Sequence, residues 1–169
     1  MNLDFHIRRA IPDDALGIHN AHMQSIQHVC SKDYSPQEIA AWGGRQFNKS
    51  KWKNAITSDQ VWVVIADHTI HGFAHLRLLE SEGVPMGYIH GLYLTPSSIG
   101  RGLGYTLARH MIEACEDTQV QRLSLHSTIT AHRFYQSLGF VDDGPQMTIN
   151  IAGQPIRSFP MTMVVNPSS

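Results

Sequence analysis

The sequence predicts an α/β domain with a mixed, mostly antiparallel central sheet flanked by helices. Two observations carry this. Short apolar runs with strand character recur along the chain, and amphipathic helical patterns fall between only some of them. Their order reads β-α-α-β-β-β-α-β-α-β-β, so hairpins flank a β-α-β-α centre instead of alternating throughout as in a doubly wound sheet. The chain has 169 residues, enough for one sizeable core but not for two. A single domain is expected over 1–165, with 166–169 as a frayed tail.

The elements follow in order. Leu3, Phe5 and Ile7 alternate with Asp4, His6 and Arg8, which predicts a strand with one face in the core. Pro12-Asp13-Asp14 opens a helix that runs to about Val29, its acids at the positive end of the dipole. Ser35-Pro36-Gln37-Glu38 opens a short second helix with a capping box and proline in the first turn. A polar stretch over 43–59 allows another helical piece around Trp52. Val61–Ala66 is continuously apolar, as a strand buried on both faces would be. Asp67-His68 turns the chain into a hairpin partner, Ile70–Leu79. Met86–Leu94 is a further strand, stopped by Thr95-Pro96. Leu103, Leu107, Met111 and Ala114 share one face of a helix over 103–116. A short strand around Leu123 and Leu125 precedes a helix over Ala131–Leu138 that Gly139 ends. Strands near 147–151 and 159–165 close the domain, with Met147, Met161 and Met163 expected to fill the core.

Thirteen basic and 14 acidic side chains leave a net charge of −1. That balance argues against a protein built to grip nucleic acid or acidic membranes. No apolar run approaches the roughly 20 residues of a membrane span, and charges interrupt the first nine residues, unlike a signal peptide. Two cysteines cannot form a disulfide framework, which fits a reducing, cytoplasmic compartment. Cys115 falls on the apolar side of its helix; Cys30 reads as an exposed thiol without a spaced partner. Eleven histidines invite a metal reading. Yet His71 and His75 would stand about 13 Å apart on a strand, and His19 and His22 lack a third ligand at fixed spacing. With no His-Glu-x-x-His or Cys-x-x-Cys, no metal site is expected.

The stretch that carries chemistry is Gly91-Leu92-Tyr93-Leu94-Thr95-Pro96-Ser97-Ser98-Ile99-Gly100-Arg101-Gly102-Leu103-Gly104-Tyr105. A strand ends, a glycine-rich loop follows and a helix begins. Free backbone N–H groups at such a helix start, unobstructed by side chains and backed by Arg101, suit a phosphate or pyrophosphate; a turn without ligand is the competing reading. The glycine spacing is not the dinucleotide fingerprint, and no Gly-Lys-Ser/Thr ending marks a nucleotide-hydrolysing loop.

This stretch resembles the GCN5-related N-acetyltransferase (GNAT) superfamily, whose loop reads Gln/Arg-x-x-Gly-x-Gly/Ala. Gly102-Leu103-Gly104 match its glycines and Leu92-Tyr93-Leu94-Thr95-Pro96 its strand end; Ile99 departs from the usual Gln or Arg. About 30 residues on, Ala131-His132-Arg133-Phe134-Tyr135-Gln136-Ser137-Leu138-Gly139-Phe140 is similar to the family's Ala-x-x-Phe-Tyr-x-x-x-Gly-Phe segment, with Thr128 where Asn is frequent. The tract Tyr34–Trp42 is similar to an uncharacterised bacterial branch.

The resemblance implies the acyl-CoA N-acyltransferase fold, with strands 86–94 and 121–127 splaying into a V, and acetyl-CoA (coenzyme A) as cofactor. Its pyrophosphate would lie on the N–H groups of Gly100, Arg101, Gly102, Leu103, Gly104 and Tyr105, beside Ile99. Its peptide-like arm would pair with the edge at Leu92, Tyr93 and Leu94, flanked by Thr128, Ala131 and Phe134. The reaction implied is direct transfer of an acetyl group to an amine, with a backbone N–H near Leu92 facing the developing oxyanion and Tyr135 as general acid to the thiolate. His90 is the candidate general base, His126 the second, and Tyr88 could relay through water; for each histidine a purely structural role stays open. Tyr34 and Trp42 flank a helix that in this superfamily walls the acceptor pocket, and could equally be core anchors. The partner expected is a small-molecule or peptide amine; the resemblance also allows a homodimer. A non-catalytic acyl-CoA sensor is the alternative, and a purely structural interaction domain a third.

Overall fold

The computed structural model describes residues 2–166. Its order is β1 (His6–Arg9), α1 (Ala15–His28), α2 (Pro36–Gly43), α3 (Lys49–Ser58), β2 (Gln60–Ala66), β3 (Thr69–Ser81), β4 (Val84–Leu94), α4 (Leu103–Glu116), β5 (Arg122–Ser127), α5 (His132–Leu138), β6 (Val141–Asp142), β7 (Met147–Ile151) and β8 (Gln154–Val164). The sheet runs β1-β2-β3-β4-β5-β8-β6, with β7 paired to β8. Every neighbouring pair is antiparallel except β4 and β5.

Two apolar layers explain why β2 is continuous in hydrophobics. Trp62 and Val64 face one core with Ala74, Leu76, Leu107, Met111 and Leu123, under α4 and α5. Val61, Val63 and Ile65 face another with Ala15, Ile18 and Phe73, under α1 and α3. A strand covered on both faces has no room for alternation. Asp67 and His68 take positive φ, 49° and 60°, as a two-residue hairpin turn demands.

The Ser35–Glu38 capping box forms as the sequence predicts: Ser35 N–H donates to Glu38 Oε1 at 2.9 Å, and Glu38 N–H to Ser35 Oγ at 3.1 Å. Glu38 also takes two bonds from Arg157 of β8, at 2.8 and 3.1 Å, so one carboxylate both starts α2 and fastens it to the sheet.

Three expectations are corrected. Cys30 is buried, in a cluster with Met23, Ile26 and Trp42, because the chain tucks back under α1 after His28. Burial pushes its thiol up to about 11, so it is inert. Met147 is exposed on the β7 hairpin, whereas Met161 is core. The helical piece expected around Trp52 is a full helix, α3, and only the two-residue β6 has no counterpart in the sequence reading. Asn166 is not frayed; its side-chain amide donates to the carbonyls of Cys115, Thr118 and Val120 at 3.0, 3.1 and 2.7 Å, closing the end of α4. Residues 167–169 of the expected tail lie outside the described residues.

Candidate active site

β4 and β5 pair only over Gly87↔Leu123, Tyr88↔Ser124 and Ile89↔Leu125. Beyond Ile89, β4 continues to Leu94 bonded to β3 on one side, while β5 stays with β8. The two strands diverge, and the β4 edge over 90–94 faces a gap instead of a strand. Buried backbone groups left this way are costly unless something satisfies them.

The gap opens into a cleft of about 250 Å³. Its walls are Leu92, Tyr93 and Leu94 of β4, Ile99 and Gly104 of the loop and α4, and Thr128, Thr130, Ala131 and Phe134 before and on α5. Ser25, Val29, Cys30 and Lys32 close the far side; sequence reasoning missed all four, since they reach the cleft only through the packing of α1 on the sheet.

The glycine loop is held rigid from below. Thr95 N–H donates to His71 C=O at 2.8 Å, and the buried Ser98 hydroxyl donates to the same carbonyl at 3.0 Å. Gly100 and Gly102 both take φ of +77°, which L side chains reach only with strain, and a Cβ on either would point into open space. Gly102 starts α4, and among the described residues no side chain caps it. The first amides of this helix therefore remain free donors at the positive dipole end. Leu103 turns its side chain into the core, so it offers the site its backbone alone. Tyr105 is exposed on the outer face of α4. Arg101 is turned aside: its Nε donates to Ser97 C=O at 3.2 Å and its guanidinium lies over Phe5, 5.1 Å from the ring centre.

Between cleft and sheet lies a narrow throat lined by His90, Gly91, Leu92, Leu125, His126, Ala131 and Tyr135. Tyr135 is 4% exposed, gripped edge-on by Phe134 and Phe140. Among the described residues nothing hydrogen-bonds its hydroxyl, and burial pushes its pKa well above the ordinary 10.0. It is a proton-bearing group with a free donor. Thr128 Oγ1 accepts from Ala131 N–H at 3.0 Å, fixing the turn into α5.

A β-bulge falls at His90. His75 pairs with Gly91 but Leu76 with Ile89, so His90 is the extra residue. Its imidazole shares the face of Tyr88, opposite the core residue Ile89, and lies on His75 with ring centres 4.6 Å apart; the bulge brings Leu92 and Leu94 back to the α4 side. Desolvation, reinforced by His75, pushes His90 down to about 4, so its lone pair is free at neutral pH. His75 Nε2 meets Asp59 Oδ2 at 2.8 Å; burial lowers the pKa of His75 despite that carboxylate, so the neutral ring carries its proton on Nε2 as donor. Asp59, His75 and His90 bring three potential ligand atoms within 4.8 Å. No linear spacing shows this trio, because a helix end and two strands supply it. Tyr88 packs edge-on against His90, ring centres 4.8 Å apart, and lies 6.0 Å from His126. His126 keeps its buried Nδ1 without a protein partner among the described residues.

On the opposite face of the sheet from α4, His90 looks into a second cavity of about 450 Å³. α1, the 44–48 loop, α3 and the sheet enclose it through His19, His22, Arg45, Lys51, Trp52, Phe73 and His75 among others. Tyr34 and Trp42 are not in its walls. Both are buried core residues, 6% and 3% exposed. The Tyr34 hydroxyl donates to Arg157 C=O at 2.7 Å and accepts from Ile129 N–H at 2.9 Å, tying the β5–α5 turn to β8.

A family model for the acetyltransferase (GNAT) domain matches residues 30–165. The chain belongs to the GNAT family. Among curated GNAT relatives, it is 28% identical over 137 residues to an uncharacterised N-acetyltransferase of Escherichia coli K12, YafP, covering 81% of each chain. The fold matches a GCN5-related N-acetyltransferase of Rhodopseudomonas palustris with a TM-score of 0.81 at 22% identity, covering 97% of this chain and 98% of that one. It also matches the PaiA N-acetyltransferase of Thermoplasma acidophilum, solved in complex with coenzyme A, with a TM-score of 0.76 at 19% identity and coverage of 95% and 99%. The mixed sheet with its β4/β5 splay is thus the GNAT fold, and acetyl transfer to an amine is the general chemistry that GNAT membership supports.

Proposed function

We propose that this protein is an N-acetyltransferase that moves an acetyl group from acetyl-CoA to a primary amine by direct attack, with Tyr135 as the acid and His90 as the base. One observation carries the reading. The unpaired β4 edge over 90–94 lies between an uncapped helix start on one side and a histidine-lined cavity on the other. A long ligand with an anionic end, a peptide-like arm and a reactive tip fits that order of features.

The residues present fit an acyl-CoA. The free amides at 102–105 and the open space at Gly100 and Gly102 suit a pyrophosphate. The backbone of 90–94 suits the amides of a pantetheine arm. The throat shares Leu92 and Ala131 with the cleft and His90 with the second cavity. Acetyl-CoA, when bound, supplies an activated thioester. The relative solved with coenzyme A supports the same assignment.

Each side chain then has a defined task. His90, neutral at pH 7, accepts a proton from the amine nitrogen directly or through water. A base near 4 is too weak to strip an ordinary ammonium at equilibrium, but it suffices once C–N bond formation has made that nitrogen acidic. Tyr135 keeps its proton across the physiological range and delivers it to the departing thiolate. The backbone N–H groups along 90–94 stabilise negative charge that develops beside them.

The test is thiol release from acetyl-CoA against a panel of amines, alongside a melting-temperature shift with acetyl-CoA alone. Release with at least one amine class supports the enzyme. A cofactor-dependent shift without any transfer would favour the acyl-CoA sensor, and no shift at all would leave a structural domain.

A further inference from the structure

The cavity on the His90 side is electrically lopsided. Arg45 and Lys51 both line it, and among the described residues no carboxylate does. The nearest acid, Asp59, is engaged by His75 at 2.8 Å and by Arg77 at 3.7 Å. Arg45 is half-buried. Its Nε donates to Trp42 C=O at 2.9 Å, while its two terminal nitrogens meet no acceptor and no acid among the described residues. An arginine fork held in place by one nitrogen and left open at the other two is pre-organised for a planar or tetrahedral anion. His22, at the cavity floor between Tyr93 and Phe73, keeps a buried Nε2 with no protein partner. A half-buried guanidinium such as that of Arg45 and an orphaned ring nitrogen such as that of His22 cost free energy unless a ligand completes them.

We infer that the acceptor is a small amine that also carries an anionic group, a carboxylate or a phosphate, which docks on Arg45 and Lys51 while its amine points to His90. This deepens the acetyltransferase reading and rests on it. The enclosed volume of about 450 Å³ is that of a small-molecule site. Two unopposed cations would repel a polyamine, whereas an amine with its own negative charge balances them.

The test compares matched amines that differ only in the anion: phosphoethanolamine against ethanolamine, β-alanine against propylamine, glucosamine 6-phosphate against glucosamine, with spermidine as the polycation. The readout is kcat/KM from thiol release with acetyl-CoA. The anionic member of a pair should lead by about 10- to 100-fold, the span of a charge-assisted hydrogen-bond pair. The phosphate and carboxylate arms separate the two anion classes. Arg45→Met should collapse the ratio towards 1. Lys51→Met should reduce it, and serves if Arg45→Met does not fold. Preference for the neutral members or for spermidine would overturn the inference, as would a ratio untouched by both variants. Failure of the underlying reading looks different. If acetyl-CoA raises the melting temperature but no amine is acetylated, the transfer reading fails by itself. The anion site is then read from thermal shifts with phosphoethanolamine and β-alanine; no shift from either, or a shift that Arg45→Met leaves intact, overturns it too.

Discussion

Replacing Tyr135 by phenylalanine removes one oxygen atom from the throat that Leu92, Leu125 and His126 also line. The ring itself is fixed by edge contacts with Phe134 and Phe140, centres 5.3 and 5.5 Å away, and these survive the change. The hydroxyl has no protein hydrogen bond to lose among the described residues. Stability should therefore change by less than about 0.5 kcal/mol, which moves Tm by about 1–2 °C in a chain of this size. The rate is another matter. General acids contribute about 10²–10⁴-fold, and a thiol with an ordinary pKa near 8.5 is already a fair leaving group, so the lower end applies. Turnover should fall about 100-fold, about 2.7 kcal/mol of barrier, while KM for acetyl-CoA changes little because the cofactor grip lies on backbone. Tyr135→Ala is the contrast: it empties a buried site and should cost roughly 3–5 kcal/mol of stability. Thiol release in single turnovers, beside a melting curve for each variant, checks both. If Tyr135→Phe matches the parent kcat while melting normally, the proton to the thiolate comes from elsewhere and Tyr135 is only packing.

Three other outcomes are expected. Gly102→Ala and Gly102→Glu both place a side chain at φ +77° and should each lose about 1–2 kcal/mol of stability; only the glutamate should also weaken acetyl-CoA binding at least tenfold, and equal affinities for the two would show that no anion sits there. Glu38→Gln should lower Tm by several degrees at pH 7, reflecting about 1–2 kcal/mol, since water reaches the Arg157 head and repairs part of the loss; because Arg157 holds the folded carboxyl down at about 2 against an ordinary 4.5, this stabilisation is complete above about pH 4.5 and is lost as pH falls through about 2, and a variant whose acid melting profile tracks the parent would refute it. Tyr34→Phe strands the Ile129 N–H and the Arg157 carbonyl, costing roughly 2–4 kcal/mol in urea unfolding, yet KM for the amine should stay within about twofold; a large KM effect would return Tyr34 to the acceptor wall.

What could be read from the sequence and what could not divides along one physical line. The glycine loop, the strand before it and the Phe134-Tyr135 helix were legible because each is local. Positive-φ glycines, a proline stop and helical periodicity announce themselves within a few residues. The same holds for the Ser35–Glu38 capping box. Tyr34 and Trp42 were not separable, because an aromatic on a helix shows one pattern whether it lines a pocket or fills a core. Only the 123-residue reach from the Tyr34 hydroxyl to the Arg157 carbonyl decides between them. Cys30 read as exposed for a related reason: nothing local reveals that the chain folds back under α1. The acceptor-side cavity was invisible, since Arg45, Lys51, His22, Phe73 and His90 come from a loop, two helices and two strands.

The bulge at His90 joins these two kinds of information. Without it, strict alternation from Ile89, which faces the α4-side core, would keep His90 on the far face with Tyr88 but place Leu92 there too. The extra residue instead puts His90 and Gly91 on one face, beside His75, and leaves Leu92 and Leu94 on the other. One irregularity thus leaves an imidazole on the face of the second cavity and an apolar, backbone-rich wall on the face of the cleft. It falls immediately past Ile89, the last residue of β4 that pairs with β5. A bulge increases local twist and bends the bulged strand, so the feature that returns Leu92 and Leu94 to the α4 side also fits the divergence of β4 from β5. The open β4 edge and the return of Leu92 and Leu94 to the α4 face therefore meet at one added residue.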